Sequence, residues 1–155
     1  MTEIIISKNF NEAREKIRTL LKNKSSKIIF TSEDDELNRK LIEKEPLDIL
    51  LLNQKNRKDF SKQRNSGLNQ VMVKIAKKNN IQIGINLDEI IESEKIIKSK
   101  IIARIKQNIL LCNKNKVQMQ FIISNPKNKR NLREIKHLGS VLSMPSWMTK
   151  NIIVN

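Results

Sequence analysis

Few residues in this chain have side chains suited to chemistry, and most of those have a structural explanation. Among 155 residues there is one histidine, His137, and one cysteine, Cys112. Zinc sites and nucleophilic dyads need several such side chains brought together, so the count excludes a metal site built on several histidines. We expect His137 to lie on the surface beside Arg133 and Lys136. We expect Cys112, which ends an apolar stretch, to be buried as a small apolar residue.

The acidic and glycine residues give no stronger sign of catalysis. The carboxylates at 33–36 resemble a metal cluster, but they follow Ser32 at a predicted helix start, where acids complement the helix dipole. The three glycines, Gly67, Gly84 and Gly139, stand alone and form no phosphate-binding loop. The sequence therefore predicts no catalytic residue and no metal ligand.

The charge distribution points instead to a polyanionic partner. The formal net charge is +15, which favours binding to nucleic acid. Residues 1–48 hold ten basic and ten acidic side chains, whereas residues 49–155 hold twenty-one and six. A general coding bias towards lysine would also raise the charge, but it would not stop at such a boundary.

Two basic clusters follow predicted strands. The first is the polar stretch that carries Lys58, Lys62 and Arg64 after the third strand. The second follows the fifth strand, and we expect its positions 129, 133 and 136 to share one face of a helix. Because both clusters follow the carboxyl ends of strands, they are predicted to lie at the edge where α/β folds place their binding sites.

Short apolar runs alternate with amphipathic helical patterns along the whole chain. The runs rich in β-branched residues predict five buried parallel strands, at 3–6, 27–31, 48–52, 81–85 and 117–123. A helical stripe of isoleucines spaced four apart, from Ile97 to Ile109, precedes the last strand. The pattern predicts a single α/β domain over residues 1–155, either an open sheet or a reduced barrel, since a complete barrel needs at least ~200 residues.

The segment RNSGLN at 64–69 stands at the start of a predicted helix. Asn65 or Ser66 is expected to cap that helix. Gly67 would allow a backbone or a phosphate to approach closely, and Arg64 would stand beside a helix end that attracts anions. Spacing alone does not separate this anion site from a plain helix cap.

Several longer segments carry a resemblance to a known family. They are DILLL, RNSGLNQVMVKIAKKNNIQIGI, RIKQNILLCNKNKVQMQFIIS and, more loosely, NLREIKHLGSVLSM. Together, over roughly residues 46–144, they resemble protein component 3 of archaeal ribonuclease P, which is related to the thirty-kilodalton subunit of the eukaryotic enzyme. The most specific parts are SGLN entering an apolar helix and the KKNNIQIGI that follows.

The resemblance implies a TIM-barrel-like (β/α) fold with outer helices, reduced or incomplete here because the chain is short for the family. It implies a non-catalytic subunit that binds and stabilises the catalytic RNA for removal of the 5′ leader from precursor tRNA. The implied partners are the ribonuclease P RNA, precursor tRNA through the complex, and protein component 2, in a heterotetramer of two pairs. The RNA subunit would use Mg²⁺, the protein would bind no cofactor, and the setting would be the cytoplasm with no membrane.

The candidate RNA-binding residues combine the RNSGLN motif with the two basic clusters. They are Lys58, Lys62, Arg64, Asn65, Ser66, Gly67, Asn69, Lys127, Lys129, Arg130, Arg133 and Lys136. The fold implied is distantly akin to the metal-dependent phosphoesterases of the polymerase and histidinol phosphatase superfamily, but their histidine motifs are missing here. A phosphoesterase of that kind and a basic scaffold for another RNA are the alternatives.

Overall fold

Five parallel strands alternate with helices in the computed structural model, which describes residues 2–22 and 26–153. The strands are β1 (Thr2–Ile6), β2 (Lys27–Thr31), β3 (Ile49–Leu52), β4 (Gln82–Asn86) and β5 (Met119–Ile122). The helices are α1 (Phe10–Lys22), α2 (Asp35–Lys44), α3 (Gln70–Lys78), α4 (Leu87–Glu92), α5 (Lys95–Asn115), α6 (Leu132–Val141) and α7 (Ser146–Lys150), with a 3-10 turn at Pro126–Asn128.

The strand order identifies the kind of α/β fold. The strands pair in the order β1-β2-β3-β4-β5, and every pairing is parallel. A doubly wound sheet reverses its order part-way, whereas consecutive order with right-handed crossovers keeps the connecting helices on one face. This is the arrangement of successive β/α units in a TIM barrel. The predicted α/β fold of the TIM-barrel-like kind, with parallel strands and outer helices, is therefore confirmed.

The two faces of the sheet bury separate sets of apolar side chains. Phe30, Leu50 and Ile83 belong to the large core between the strands and the helices. On the inner face, Ile29 of β2 shares a second buried cluster with Ile122 of β5. Since side chains alternate along a strand, the nearly continuous apolar runs are explained by burial on both faces.

Gly84 lies at the middle of β4, opposite Leu51 of β3. A Cβ atom at this position would stand 3.1 Å from both the Leu51 Cα and the Ile49 Cγ2. Gly84 thus lets neighbouring strands pack closely, which explains an isolated glycine inside a strand.

The five predicted strands are all present, with changes at their ends. The fifth strand is shorter than the predicted 117–123, and the isoleucine stripe lies on α5, with Ile101, Ile105 and Ile109 buried. The short helix α4 was not predicted. Its six residues are too few to show a helical period, and Asn86 caps it by accepting from the Glu89 N–H.

Candidate nucleic-acid interface

Two loops at the carboxyl edge of the sheet carry the predicted basic clusters. The β3–α3 loop comprises residues 53–69, and the β5–α6 loop comprises residues 123–131. Between them lies α4, which follows β4 directly. The parallel strands bring both loops to one edge, as expected from the sequence.

Arg104 of α5 holds the first part of the β3–α3 loop. Its side chain is only 3% exposed, and its Nε donates to Asp59 Oδ1 over 2.8 Å. The two terminal nitrogens donate to the carbonyls of Gln54 and Arg57, each over 2.9 Å. The hydrogen bond from Arg104, joined by that from the Asn65 backbone, holds the pKa of Asp59 below its ordinary value. The loop is thus wrapped around a buried guanidinium.

Arg57 holds the second part of the loop, and its position explains why residue 67 is a glycine. Its terminal nitrogens form two parallel 2.8 Å bonds with the Asp35 carboxylate, and its Nε donates to the Asn53 carbonyl over 2.7 Å. The guanidinium lies directly over Gly67, where a Cβ would stand 2.2 Å from Arg57 Nη2. Gly67 also has a φ of +75°, which favours glycine. The group that approaches Gly67 is thus the side chain of Arg57, whereas a backbone or a phosphate was expected there from the sequence.

Ser66 is buried and Asn69 caps the helix, so the predicted cap at Asn65 or Ser66 is wrong. The Ser66 carbonyl accepts from Gln54 Nε2 over 2.9 Å and from Asn108 Nδ2 over 3.3 Å. The Asn69 side chain accepts from the Met72 N–H over 2.9 Å. The chain turns at Gly67, which has a positive φ, so the N-cap lies two residues beyond that glycine and the helix begins at Gln70.

Glu89 of α4 fixes the point where the β3–α3 loop leaves the sheet. Its carboxylate accepts from the Gln54 N–H over 2.7 Å and from the Lys55 N–H over 3.2 Å. Burial raises the pKa of Glu89 above its ordinary value, although the two backbone N–H groups oppose that rise.

Asp88 fixes the β5–α6 loop from the same short helix. Its Oδ2 accepts from the Ser124 N–H over 2.7 Å and from the Asn125 N–H over 3.0 Å. Asn128 is buried and donates to Asp88 Oδ1 over 2.8 Å. The neighbouring carboxylate of Glu92 accepts from Asn125 and Asn128. Helix α4 therefore bonds to both basic loops, one through Glu89 and the other through Asp88 and Glu92.

The predicted cations lie on the outside of these loops and, for Arg133 and Lys136, on helix α6. Within the described residues, none of them forms an ion pair with a carboxylate. The exposed cations are Lys58, Lys62, Arg64, Lys127, Lys129, Arg130 and Arg133, and Lys136 is half-buried. Lysine and arginine side chains held in this way can bind phosphate groups without first breaking a salt bridge.

The predicted helical face at positions 129, 133 and 136 is wrong for Lys129. Helix α6 begins at Leu132, after a capping box in which the Asn131 side chain accepts from the Glu134 N–H and Glu134 accepts from the Asn131 N–H. Lys129 follows the 3-10 turn instead. The Asn-x-x-Glu spacing of this capping box was visible in the sequence.

The remaining residues with reactive side chains lie as predicted. Cys112 is buried, which raises the pKa of its thiol to about 12, and His137 is exposed. In the part of the chain that the structure describes, no three His, Cys, Asp or Glu side chains form a group able to hold a metal ion. Nor does any helix in that part have the length and apolar character needed to cross a membrane.

The sequence interpretation missed the residues that shape the edge, chiefly Arg104, Arg57, Asp88 and Glu89. The sequence did indicate that Arg104 has a structural role, because it lies three residues after Ile101 on the apolar face of a predicted helix. A charged side chain buried on such a face needs a hydrogen-bonding or charged partner. The acceptors of Arg104 lie at least 45 residues away in the sequence. No local pattern identifies them.

Comparison with known proteins finds a similarity in sequence and a similarity in fold. No protein-family model matches the chain. The chain is similar to Ribonuclease P protein component 3 of Methanococcus vannielii, with 28% identity over 110 residues that are 71% of this chain and 45% of that protein. The protein of the same name from Methanococcus maripaludis strain C7 is 26% identical over the same share of this chain and 44% of its own length.

A chain of a solved structure described as the cryo-EM structure of archaeal Ribonuclease P with mature tRNA has the same fold. It superposes with a TM-score of 0.79 at 20% sequence identity, over 96% of this chain and 62% of that chain. The resemblance to ribonuclease P protein component 3 is thus confirmed in sequence, and the fold matches that of a chain from an archaeal ribonuclease P structure. The chain spans less than half the length of the curated relatives it matches.

Replacing Arg104 with methionine tests the buried arrangement. The change keeps the length of the side chain but leaves the Asp59 carboxylate and two carbonyls without their donor. We expect it to lower the free energy of unfolding by about 3 kcal/mol. This value is at the lower end of the range for breaking a buried ion pair, because Asp59 is partly exposed. Lys106→Met, at an exposed position of the same helix, should change it by less than about 0.5 kcal/mol. Equal losses in chemical denaturation would contradict the assignment.

The raised pKa of Glu89 predicts a pH dependence of stability. An acid whose pKa rises on folding stabilises the protein below its unfolded value, here 4.5, and this contribution is lost as the pH rises through the folded pKa. The stability of the native protein relative to Glu89→Gln should therefore fall above pH 4.5. Denaturation of both proteins between pH 4 and 7 measures it. A constant difference would show that burial does not control this carboxylate.

Proposed function

We propose that this chain is a non-catalytic protein subunit of ribonuclease P that binds and stabilises the catalytic RNA through the carboxyl edge of its sheet. The observation that carries the proposal is the arrangement of that edge. Carboxylates bond inward to the loops, and cations that form no ion pair among the described residues project outward. The sequence similarity to ribonuclease P protein component 3, and the fold similarity to a chain of an archaeal ribonuclease P structure, support the choice of RNA.

The physical effect of such a subunit is to lower the repulsion between phosphates in a folded RNA. Each cation placed against a phosphate releases condensed counterions, and the RNA then needs less Mg²⁺ to hold the same fold. In this proposal the Mg²⁺ that serves cleavage of the 5′ leader is bound by the RNA, and the protein itself holds no cofactor. Exposed cations fixed on two neighbouring loops suit recognition of structured RNA by its backbone and shape.

The proposal also names partners and a setting, which the resemblance suggests. Protein component 2 would pair with this chain and form a heterotetramer of two pairs, precursor tRNA would be met through the assembled complex, and the complex would work in the cytoplasm. Asn65, Ser66, Gly67 and Asn69 would serve mainly by shaping the β3–α3 loop, and Arg64 would act with the exposed cations. Direct contacts to phosphate would come from the exposed cations.

The function is tested by cleavage of precursor tRNA by the cognate catalytic RNA at limiting Mg²⁺. The reaction is run with this chain, with component 2, and with both proteins. We expect stimulation that requires both, because the proposal makes this chain one half of a protein pair that supports the RNA. If the RNA is active at high Mg²⁺ and both folded proteins together give no stimulation, the proposed function is wrong.

Charge reversal tests which surface binds the RNA. Changing Lys129, Arg130 and Arg133 together to glutamate should weaken RNA binding and flatten its salt dependence. The logarithmic slope should fall by about 0.7–0.9 for each phosphate that the variant no longer neutralises. The measurement is RNA affinity across a range of salt concentrations.

A matched control reverses Lys22, Lys78 and Lys114, which lie in the last turns of α1, α3 and α5. These turns lead back to the amino ends of strands, at the opposite edge of the sheet. The control should keep a steeper salt slope than the first variant. An unchanged slope in the first variant would remove the β5–α6 loop from the interface, and thermal unfolding checks that both variants fold.

A further inference from the structure

A cavity of about 530 Å³ lies against the β3–α3 loop. Its walls come from the turn at 60–64, the motif that leads into α3, and the helices α2 and α5, which contribute Arg39 and Gln107. This volume falls within the range of about 300–1,000 Å³ found for small-molecule sites. It is large enough to hold a single nucleobase.

Phe60 lines this cavity, and the hydrogen bonds of its turn hold its side chain at the surface. The residue is 58% exposed. Its own N–H donates to the Gln63 carbonyl over 2.9 Å, which closes the turn. The Asn65 N–H donates to Asp59 Oδ1 over 2.9 Å, and Asp59 is in turn held by Arg104. Because the turn holds this aromatic ring in water, the ring gains no free energy from burial unless a binding partner covers it.

The charges around the cavity indicate which part of a nucleic acid enters. Two carboxylates, Asp35 and Glu36, and the guanidinium of Arg39 line the inside, and Arg57 pairs with Asp35, so the inside carries no excess of positive charge to attract phosphate. Arg64 lines the cavity and Lys62 lies beside it in the same turn. A phosphate would therefore remain outside, at the basic turn, while an uncharged base enters. The amide groups of Gln63 and Gln107 also line the cavity and offer donors and acceptors to a base edge.

We propose that this cavity binds one unpaired nucleobase of an RNA strand, stacked on Phe60, with the adjoining phosphates held by Lys62 and Arg64. The inference rests on the proposed function for the source of the RNA. It adds an interaction of a different physical kind, because stacking on an aromatic ring acts on the base and does not depend on charge neutralisation.

Fluorescence can detect the stacked base directly. Trp147 is the only tryptophan, so the double variant Phe60→Trp, Trp147→Phe places a single indole at the turn. Short oligoadenylate should quench its emission, whereas an abasic backbone of the same length should not. Trp147→Phe alone serves as the background. Equal quenching by both strands, or none by either, would overturn the proposal.

Affinity gives a second, independent measurement. Phe60→Leu keeps an apolar side chain but removes the aromatic face, and it should weaken oligoadenylate binding about tenfold while leaving binding to the abasic strand unchanged. Leu21→Ala, an exposed apolar position on α1, is the control and should change neither. A Phe60→Leu variant that binds both strands like the native protein would contradict a base-stacking role.

The cleavage assay separates failure of this site from failure of the proposed function. If native protein stimulates the catalytic RNA and Phe60→Leu shows native oligoadenylate affinity, the nucleobase site is wrong and the ribonuclease P function stands. If native protein gives no stimulation but Phe60 still governs oligoadenylate affinity, the site stands and the RNA served is a different one.

Discussion

The shape of the basic edge depends on one buried cation. Removing the Arg104 guanidinium from water is costly, and the cost is offset here because a carboxylate and two carbonyls converge on it. All three acceptors belong to the β3–α3 loop. A different path for this long polar loop would leave a buried charge without its acceptors. The requirement to satisfy Arg104 thus selects one conformation for a segment whose own composition favours none.

The acidic residues after residue 48, in the basic part of the chain, also hold loops in place through hydrogen bonds. Of the six carboxylates after residue 48, five accept hydrogen bonds from loop backbone, from side chains or at a helix start within the described residues. They are Asp59, Asp88, Glu89, Glu92 and Glu134. Among the ion pairs of the described residues, only that of Asp59 with Arg104 involves one of them. The carboxylates therefore brace the loops rather than cover the lysines, and the outer surface keeps its positive potential.

The sequence was a good guide to the sheet because the signals for strands and long helices are local. β-branched runs specified strands buried on both faces, and the isoleucine stripe specified α5. The loops were a different problem. Asp88 and Glu89 act on residues more than 30 positions away, and the start of α3 depends on the turn at Gly67. Contacts of that range arise only after folding, so the bracing role of α4 could not be predicted. The cap at Asn69 is a local contact, and it was missed because the turn at Gly67 that precedes it was not recognised.

The motif that most resembles the family now has a geometric explanation. Ser66 is buried, Gly67 lies beneath Arg57, and Asn69 caps α3. Each of these requirements is met by few residue types, since a side chain at Gly67 would collide with a guanidinium and a cap needs a short polar group. Phosphate binding is less exacting, because a lysine can reach the same phosphate from several positions. Residues that define the loop conformation therefore form a recognisable sequence motif. The cations on the loop surface can be recognised in the sequence chiefly as an excess of positive charge.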